Sequence, residues 1–465
     1  MADEALDYSY RYPFPSAAEL AGGAGRLRLA TANVGAAGAP APHFFRGRLR
    51  QPAAAAQLLL GVAQVAQSRF YTPPGMLQRI LREADPVVTA GGDRLRFEAF
   101  SLCCGVYARA DLLPAALDGE IMGRGTTNVD FNAPFRAALS RIERDDRVEL
   151  AVGSEAVALT HDGAALEERK VKLPQRWLKG FVEAQSYGPR LTLHHEIPGP
   201  AARRFLAGLS AAVKAKDRCW LAVEGPQPRL SQRAAPGMLA VGGIGRLTLL
   251  APLARQARSL KIYGDAESGV TAWVLALEGA RFELLLSPEA GRGFSGEGQV
   301  LSALAEGAQG GETALAAVRA ALAWQAQLTP ESLADRVAAA PAAIAAALAN
   351  LGSQGLVGYD LGAGCHFHRE MPFDLAAVVK LHPRLARAEA LLAEDAVEIV
   401  SPPGAETLEA YVKSGDVEQR VVLTAAGDRC SCPWFNRKGG AAGPCKHVLA
   451  VRMARDAAAK PSKCR

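Results

Sequence analysis

The chain has 465 residues, too many for one hydrophobic core, and we expect two to four domains. Apolar residues make up 49% and charged residues 22%, which excludes a largely disordered chain. No run of about 18 apolar residues occurs, and no basic segment precedes an apolar one at the start, so we expect no membrane contact and no signal peptide. Eight cysteines in a chain of this length fit a reducing compartment, so a cytoplasmic location is expected.

The positive charge lies at one end of the chain. The formal net charge is +6, yet residues 429–465 carry nine Lys or Arg and a single acid, Asp456. The remaining residues are therefore slightly acidic. Attraction to an anionic partner is expected from the C-terminal segment.

The first 310 residues predict an α+β fold built mainly from antiparallel strands with helices on one side. Residues 1–25, rich in Tyr, Pro, Ala and Gly, are expected to form a flexible lead-in. An α+β domain is predicted over 26–190 and a second α+β region over 191–310. Predicted helices are 51–70, 133–143, 174–185 and 200–214. A pair of strands is predicted over 147–160, and single strands are predicted at 94–109, 190–195, 218–223, 259–264, 270–277 and 281–287.

After Gly311 the chain becomes rich in Ala and predicts a winged-helix-like unit over 311–385. Three helices are followed by two strands around a Gly-rich turn, which is the winged-helix order. The third helix, from Pro341, carries no Lys or Arg. A helix that reads DNA normally has basic side chains anchored on phosphates nearby. The unit is therefore expected to mediate protein contacts or to support the fold.

A small Cys/His group lies in the second strand of this unit. Cys365, His366 and His368 include two adjacent residues, which point to opposite faces of a strand. No fourth ligand stands nearby, so we expect a strand with exposed histidines rather than a metal site.

Four residues near the C-terminus have the spacing of a zinc site. Cys430 and Cys432 are separated by one residue, and after a gap of twelve residues Cys445 and His447 follow. Three thiolates and an imidazole complete a tetrahedral Zn²⁺ site and leave no position for water. A structural zinc site is therefore predicted. We also expect a linker near 400–405, strands at 407–413 and 418–424, and a helix from 447 to about 459.

This order of two strands, Cys-x-Cys, loop, Cys-x-His and helix resembles the SWIM zinc finger, a ββα module, here over 405–465. Further segments resemble a larger bacterial family that carries this finger at its C-terminus. The resemblance implies Zn²⁺ as cofactor and possible partners in a MoxR-type AAA+ ATPase and a von Willebrand A-type protein. It also implies that the finger contacts DNA or protein. The further segments are CCGVYARADLLPAALDGE (103–120), GTTNVDFN (125–132), VKLPQRWLKGF (171–181), SPEAGRGFSGEGQVL (287–301) and FHREMPFDL (367–375).

The basic finger admits two kinds of partner. Lys and Arg side chains would contact the phosphates of DNA or RNA, with a Trp ring available for base stacking. The same charges would equally attract an acidic protein. A third possibility is a solvated basic surface that binds no partner. The candidate contact residues are Trp434, Arg437, Lys438, Lys446, Arg452 and Arg455.

The chain is expected not to be an enzyme. It contains no G-x-x-x-x-G-K-[ST] phosphate loop, and neither a nucleophile–base pair nor an open metal site is recognisable. We expect a zinc-binding interaction protein, an adaptor in a bacterial MoxR and von Willebrand A-type system. The alternative is a DNA-binding regulator that uses the basic finger.

Overall fold

The fold comes from a computed structural model, which describes residues 9–32, 42–71, 85–153, 169–172, 175–209, 218–224, 227–291, 293–294, 312–371, 383–402, 405, 407–424, 427–438 and 443–458. Within these ranges the helices are α1 Pro52–Gln67, α2 Ala133–Leu139, α3 Gln175–Tyr187, α4 Gly199–Ala207, α5 Glu312–Ala320, α6 Pro330–Val337, α7 Pro341–Ser353, α8 Pro383–Ala393, α9 Pro433–Lys438 and α10 Lys446–Ala458.

The strands alternate with these helices along the chain. In order they are β1 Ser9–Tyr12, β2 Ala17–Ala21, β3 Ala24–Leu29, β4 Phe45–Leu49, β5 Val87–Gly91, β6 Arg94–Phe100, β7 Val106–Leu112, β8 Leu117–Ile121, β9 Gly125–Asn128, β10 Arg147–Val152, β11 Arg169–Lys172, β12 Thr192–Pro198, β13 Arg218–Glu224, β14 Gln227–Ser231, β15 Leu239–Gly242, β16 Ser259–Gly264, β17 Thr271–Leu277, β18 Ala280–Leu286, β19 Val357–Asp360, β20 Cys365–His368, β21 Val397–Ile399, β22 Leu408–Ser414, β23 Val417–Thr424 and β24 Gly427–Cys430.

An eight-stranded antiparallel sheet forms the centre of the protein. Its strand order is β12-β16-β17-β18-β7-β6-β5-β9. The ladder between β7 and β18 joins the regions predicted as 26–190 and 191–310 into one sheet and one core. Residue 190 is therefore not a boundary of this sheet. The pairing of β7 with β18 is long-range, so no local sequence pattern indicated it.

A five-stranded sheet adjoins this core, with the order β2-β3-β10-β4-β8. β3 and β10 are parallel, and the other pairs are antiparallel. One face of the sheet packs into the core through buried side chains such as Leu27, Phe45 and Leu150, while the other face is exposed. The predicted flexible lead-in 1–25 is corrected here: β1, β2 and the start of β3 lie within it, and residues 1–8 lie outside the described ranges.

The predicted strand 94–109 is two strands, β6 and β7, joined by a tight turn. Cys103 and Cys104 lie in that turn, and Cys104 has a φ of 54°. Non-glycine residues seldom adopt this left-handed conformation. The apolar pattern runs through the turn, so it did not reveal the break.

Charged side chains are buried between the central sheet and the hairpin of β19 and β20. The Asp360 carboxylate of β19 contacts Arg96 (3.2 Å), Arg109 (3.2 Å) and Arg281 (2.6 Å). Burial raises the pKa of this carboxyl, but the three guanidinium groups outweigh burial and hold the pKa below its ordinary value. A second buried pair joins Arg369 to Glu98. These contacts fix the hairpin on the sheet.

Helices α5, α6 and α7 and the hairpin follow one another in the predicted order of helix, helix, helix, hairpin. α6 starts at a capping box between Thr329 and Ser332. The winged-helix fold itself stays a prediction.

Across the described part of the chain, no single helix is long and apolar enough to span a membrane. Helices α6 and α7 together have the length and composition of a span, but a bend of 107° separates them.

The histidines of this hairpin do not form the exposed pair that was expected. His368 is 3% exposed, accepts a hydrogen bond at its Nδ1 from the Trp324 backbone N–H (2.6 Å) and stacks on the Trp324 ring (4.5 Å between centroids). The Trp324 ring covers His368 and so accounts for its burial. The strand pattern could not indicate this contact, because Trp324 lies 44 residues earlier in the chain.

Candidate metal centre

The C-terminal module has a four-stranded antiparallel sheet, β21-β22-β23-β24, covered on one face by α8 and α10. β22 turns into β23 at Gly415, whose φ of 67° favours glycine. Leu385 of α8, Val421 of β23 and Val448 of α10 share one buried cluster with the three cysteines. The predicted linker at 400–405 thus lies inside the module, which begins at α8.

Each candidate ligand lies at the end or start of an element. Cys430 is the last residue of β24 and pairs with Val421 of β23. Cys432 immediately precedes α9, a short helix in the segment predicted as a loop. Cys445 immediately precedes α10, and His447 lies in its first turn. Secondary structure therefore fixes all four backbone positions.

The four ligand atoms converge on one point. They all lie within 4.8 Å of one another, and His447 Nδ1 is 3.7 Å from Cys430 Sγ and 3.9 Å from Cys445 Sγ. A tetrahedron with a Zn–S distance of about 2.3 Å and a Zn–N distance of about 2.0 Å has edges of about 3.5–3.8 Å. The chain therefore positions the four predicted residues as a metal site, and three sulfurs with one nitrogen are typical ligands of Zn²⁺.

The pKa values of the three thiols differ, and without a cation the site does not favour three thiolates at once. A hydrogen bond from the Cys430 thiol lowers the pKa of Cys445 to about 4, with help from His447 and the Val448 N–H, although burial acts in the opposite direction. The same hydrogen bond raises the pKa of Cys430 well above its ordinary value, and burial raises that of Cys432. Three thiolates cannot share this volume without positive charge, which a divalent metal supplies.

The site is closed to solvent. Its four side chains are 2–5% exposed, and backbone N–H groups point at the sulfurs, from Phe435 to Cys432 (3.4 Å) and from Cys432 to Cys430 (3.5 Å). Four protein ligands leave no coordination position for water or substrate. The arrangement is that of a structural site.

Several of the predicted contact residues are engaged inside the module. Arg452 Nη2 lies 2.6 Å from Asp428 Oδ2, and their side chains are 16% and 13% exposed. Lys446 Nζ donates a hydrogen bond to Ser414 Oγ (2.7 Å). Both side chains therefore tie α10 to the sheet.

The Trp434 ring is covered on one side. The guanidinium carbon of Arg384, on α8, lies 4.7 Å from the ring centroid, and Arg384 Nη1 donates a hydrogen bond to the Pro444 carbonyl (2.9 Å). Neither Arg384 nor Asp428 was predicted from the sequence. Arg384 lies within the bounds predicted for the winged-helix-like unit, 311–385, and outside the predicted finger, 405–465. Asp428 directly precedes the basic segment 429–465. The one available signal was an acid directly before a basic segment, and no sequence pattern links Arg384 to Trp434.

The other predicted contact residues are less constrained. Arg437 is exposed and donates to the Pro433 carbonyl (3.1 Å). Arg455 is half-buried on α10 and also interacts with neighbouring groups. Lys438 ends α9, and its side chain lies outside the described residues.

Comparison with known proteins identifies one part of the chain. No curated protein matches the chain. Among solved structures the chain is similar to Proliferating Cellular Nuclear Antigen from Entamoeba histolytica, with 8% sequence identity and a TM-score of 0.34. The match covers 53% of this chain and 100% of that one. This likeness is too weak to support any argument. Residues 420–453 match the SWIM zinc finger family. The chain therefore contains a SWIM zinc finger domain whose Cys/His group is positioned to bind Zn²⁺.

Proposed function

We propose that the chain is a non-enzymatic, zinc-binding interaction protein whose C-terminal module docks a protein partner. The closed site carries this proposal, since its four ligands are at most 5% exposed and offer no open coordination position. The metal would hold the module in shape and would not act on a substrate.

Zn²⁺ would bind three segments together at their ends, in addition to the ion pair between Arg452 of α10 and Asp428 of β24. Cys430 brings the end of β24, Cys432 brings the start of α9, and Cys445 with His447 brings the start of α10. Structural zinc in small fingers provides about 10–16 kcal/mol of apparent binding free energy at neutral pH. A docking surface made by these segments would therefore exist only in the metal-bound module.

Two observations support a protein partner over a nucleic acid. Arg452, Lys446 and Trp434 are engaged with other residues of the module. In addition, residues 383–428 contribute nine acidic and four basic side chains, which reduces the excess positive charge of 429–465. Nucleic-acid binding depends on a large uncompensated positive charge.

The partners follow from the resemblance of segments such as 103–120 to a bacterial family associated with MoxR-type AAA+ ATPases and von Willebrand A-type proteins. An adaptor without a phosphate loop of its own suits a system in which the ATPase supplies the energy. We place this adaptor in the cytoplasm.

Co-purification tests the proposal. The full chain is expected to bind the MoxR-type or von Willebrand A-type protein encoded in the same genome, and Cys430→Ser is expected to abolish binding by unfolding the module. Asp416→Ala, at an exposed turn of the same module, serves as the control. Equal binding by Cys430→Ser and the control would show that the zinc module is not the docking element.

A nucleic-acid regulator is the second candidate, and it rests on Arg429 and Arg437, which remain exposed beside the metal site. Binding to random DNA should then fall steeply between low and physiological salt, because bound counterions are released. Reversal of both charges would weaken this binding, whereas reversal of Arg258, which directly precedes β16, would not. A salt-independent affinity would count against this function.

A further inference from the structure

The exposed face of the five-stranded sheet carries a cavity with an arginine near each corner. Arg26 and Arg28 lie on β3, and Arg46 and Arg48 lie on β4, on the two sides of β10. Alternate residues of a strand share a face, so all four side chains belong to the exposed face. The cavity that they line has a volume of about 610 Å³, in the range of small-molecule sites.

The first row of this face is partly neutralised. Glu149 of β10 lies in register between Arg26 and Arg48. Its carboxylate contacts Arg26 Nε at 3.4 Å, with both side chains about half exposed or more. This row resembles an ordinary solvated strand surface.

The second row has no acid at its central position on β10. Ala151 lies in register between Arg28 and Arg46, so only a methyl group separates the two arginines. Neighbouring strands are about 4.8 Å apart, which places the two arginine Cα atoms about 10 Å apart across Ala151. Two guanidinium groups at this separation leave space for an anion between them.

Neither arginine of the second row is strongly committed elsewhere. Arg28 contacts Glu19 at 3.3 Å in a surface pair, which contributes little and can be displaced by a better anion. Arg46 makes no side-chain hydrogen bond or ion pair within the part of the chain that the structure describes.

An unused polar atom lies at one end of the cavity. His43 lines the cavity, and its Nε2 is buried with no hydrogen-bond partner among the described residues. Gly153 directly follows β10 and also lines the cavity, with a φ of 80°. A Cβ at this position would overlap the backbone of Pro42 and His43, so glycine allows the close approach of His43. Buried polar atoms in folded proteins nearly always have a partner, and a ligand oxygen would provide one.

The positive region is short. Glu19 lies on the outer strand β2, and Asp118 and Glu120 lie on the outer strand β8, directly opposite Arg48 and Arg46. Acidic side chains therefore flank the arginines on both sides. A nucleic-acid backbone would have to continue across these acids, whereas a small ligand would end before them.

We propose that this cavity binds the phosphate chain of a small polyphosphate-bearing molecule, with Arg28 and Arg46 on either side of the anion above Ala151. The planar guanidinium fork matches phosphate oxygens in a bidentate geometry and forms strong charge-assisted hydrogen bonds. The site is separate from the zinc module and adds a small-molecule ligand to the proposed interaction protein.

Calorimetric titration of the full, zinc-loaded chain tests the site. Inorganic triphosphate and a nucleoside triphosphate are both expected to bind saturably, and more weakly at about 0.15 M salt than at low salt. Equal affinities would indicate recognition of the phosphate chain alone, and tighter binding of the nucleotide would add a nucleoside contact. Arg28→Ala and Arg46→Ala should each weaken binding about tenfold or more, the loss of one charge-assisted interaction.

Matched variants separate charge from shape. Ala151→Glu would place a carboxylate between the two arginines and is expected to abolish binding, whereas Ala151→Gln has the same size without the charge and should bind far better than the Glu variant. Arg147→Ala, on the same strand and face but outside the cavity lining, should bind like the wild type. Circular dichroism should show unchanged folding, since all these positions are partly or fully exposed.

Three results would overturn the assignment. The first is the absence of saturable triphosphate binding to the wild type. The second is an equal loss of affinity in Arg147→Ala and Arg46→Ala. The third is binding of single-stranded DNA that depends on Arg28 and Arg46 and is not displaced by triphosphate, which would assign the surface to nucleic acid.

Discussion

The ion pair between Asp428 and Arg452 distinguishes a structural role of α10 from a nucleic-acid-binding role. The two side chains are 13% and 16% exposed, and their closest atoms are 2.6 Å apart. Exposed ion pairs contribute about 0.2–1 kcal/mol, and breaking a fully buried pair costs about 3–5 kcal/mol. Because this pair is largely buried, Asp428→Ala should lower the free energy of unfolding of the module by about 2 kcal/mol.

The pair also predicts how the loss of stability depends on its partner. Burial raises the pKa of Asp428, and the charge of Arg452 lowers it without offsetting burial fully. Removing both partners in Asp428→Ala with Arg452→Met should therefore cost less than Asp428→Ala alone.

Zinc release during a urea titration, followed with a metal-binding dye, measures unfolding of this module specifically. Asp416→Ala, an exposed acid of the same module, controls for a general change of charge. If Asp428→Ala changed the free energy of unfolding no more than Asp416→Ala does, the ion pair would not stabilise the module. That result would support a nucleic-acid-binding role for Arg452.

Three further changes have defined outcomes. Cys430→Ser should unfold residues 383–458 and leave the central sheet intact, so calorimetry should lose one transition and retain the main one. Asp360→Asn removes the carboxylate shared by three arginines and should lower the free energy of unfolding of the main transition, measured by urea titration, by about 3–5 kcal/mol. Since the folded pKa of Asp360 is depressed, its contribution is present above about pH 4 and is lost as pH falls toward the folded pKa. The variant should lack this sensitivity to acid. Arg384→Ala should uncover the Trp434 ring and cost about 0.5–1 kcal/mol of module stability, with faster quenching of Trp fluorescence by acrylamide and an unchanged zinc content.

Local patterns predicted most of the elements. The strand predicted at 259–264 has the same bounds as β16, and Pro52–Gln67 lies within the helix predicted at 51–70. In both cases apolar spacing and flanking turn residues decide the conformation. β24 was missed because the segment Gly427–Cys430 lacks an alternating apolar pattern and becomes a strand only by pairing with β23.

Long-range contacts set the rest. The ladder between β7 and β18 joins residues about 170 positions apart, and no sequence pattern specifies such a pairing. The zinc ligands were predictable because chemistry restricts both their residue types and their spacing. The surface around them was not, since Arg384 reaches Trp434 across 50 positions and Asp428 reaches Arg452 across 24.

The zinc content of the purified full-length chain tests the central claim most directly. Elemental analysis after dialysis against metal-free buffer should find one zinc ion per chain in the wild type, and close to none in Cys430→Ser. A wild-type protein that is folded at its C-terminus and contains no zinc would contradict the account.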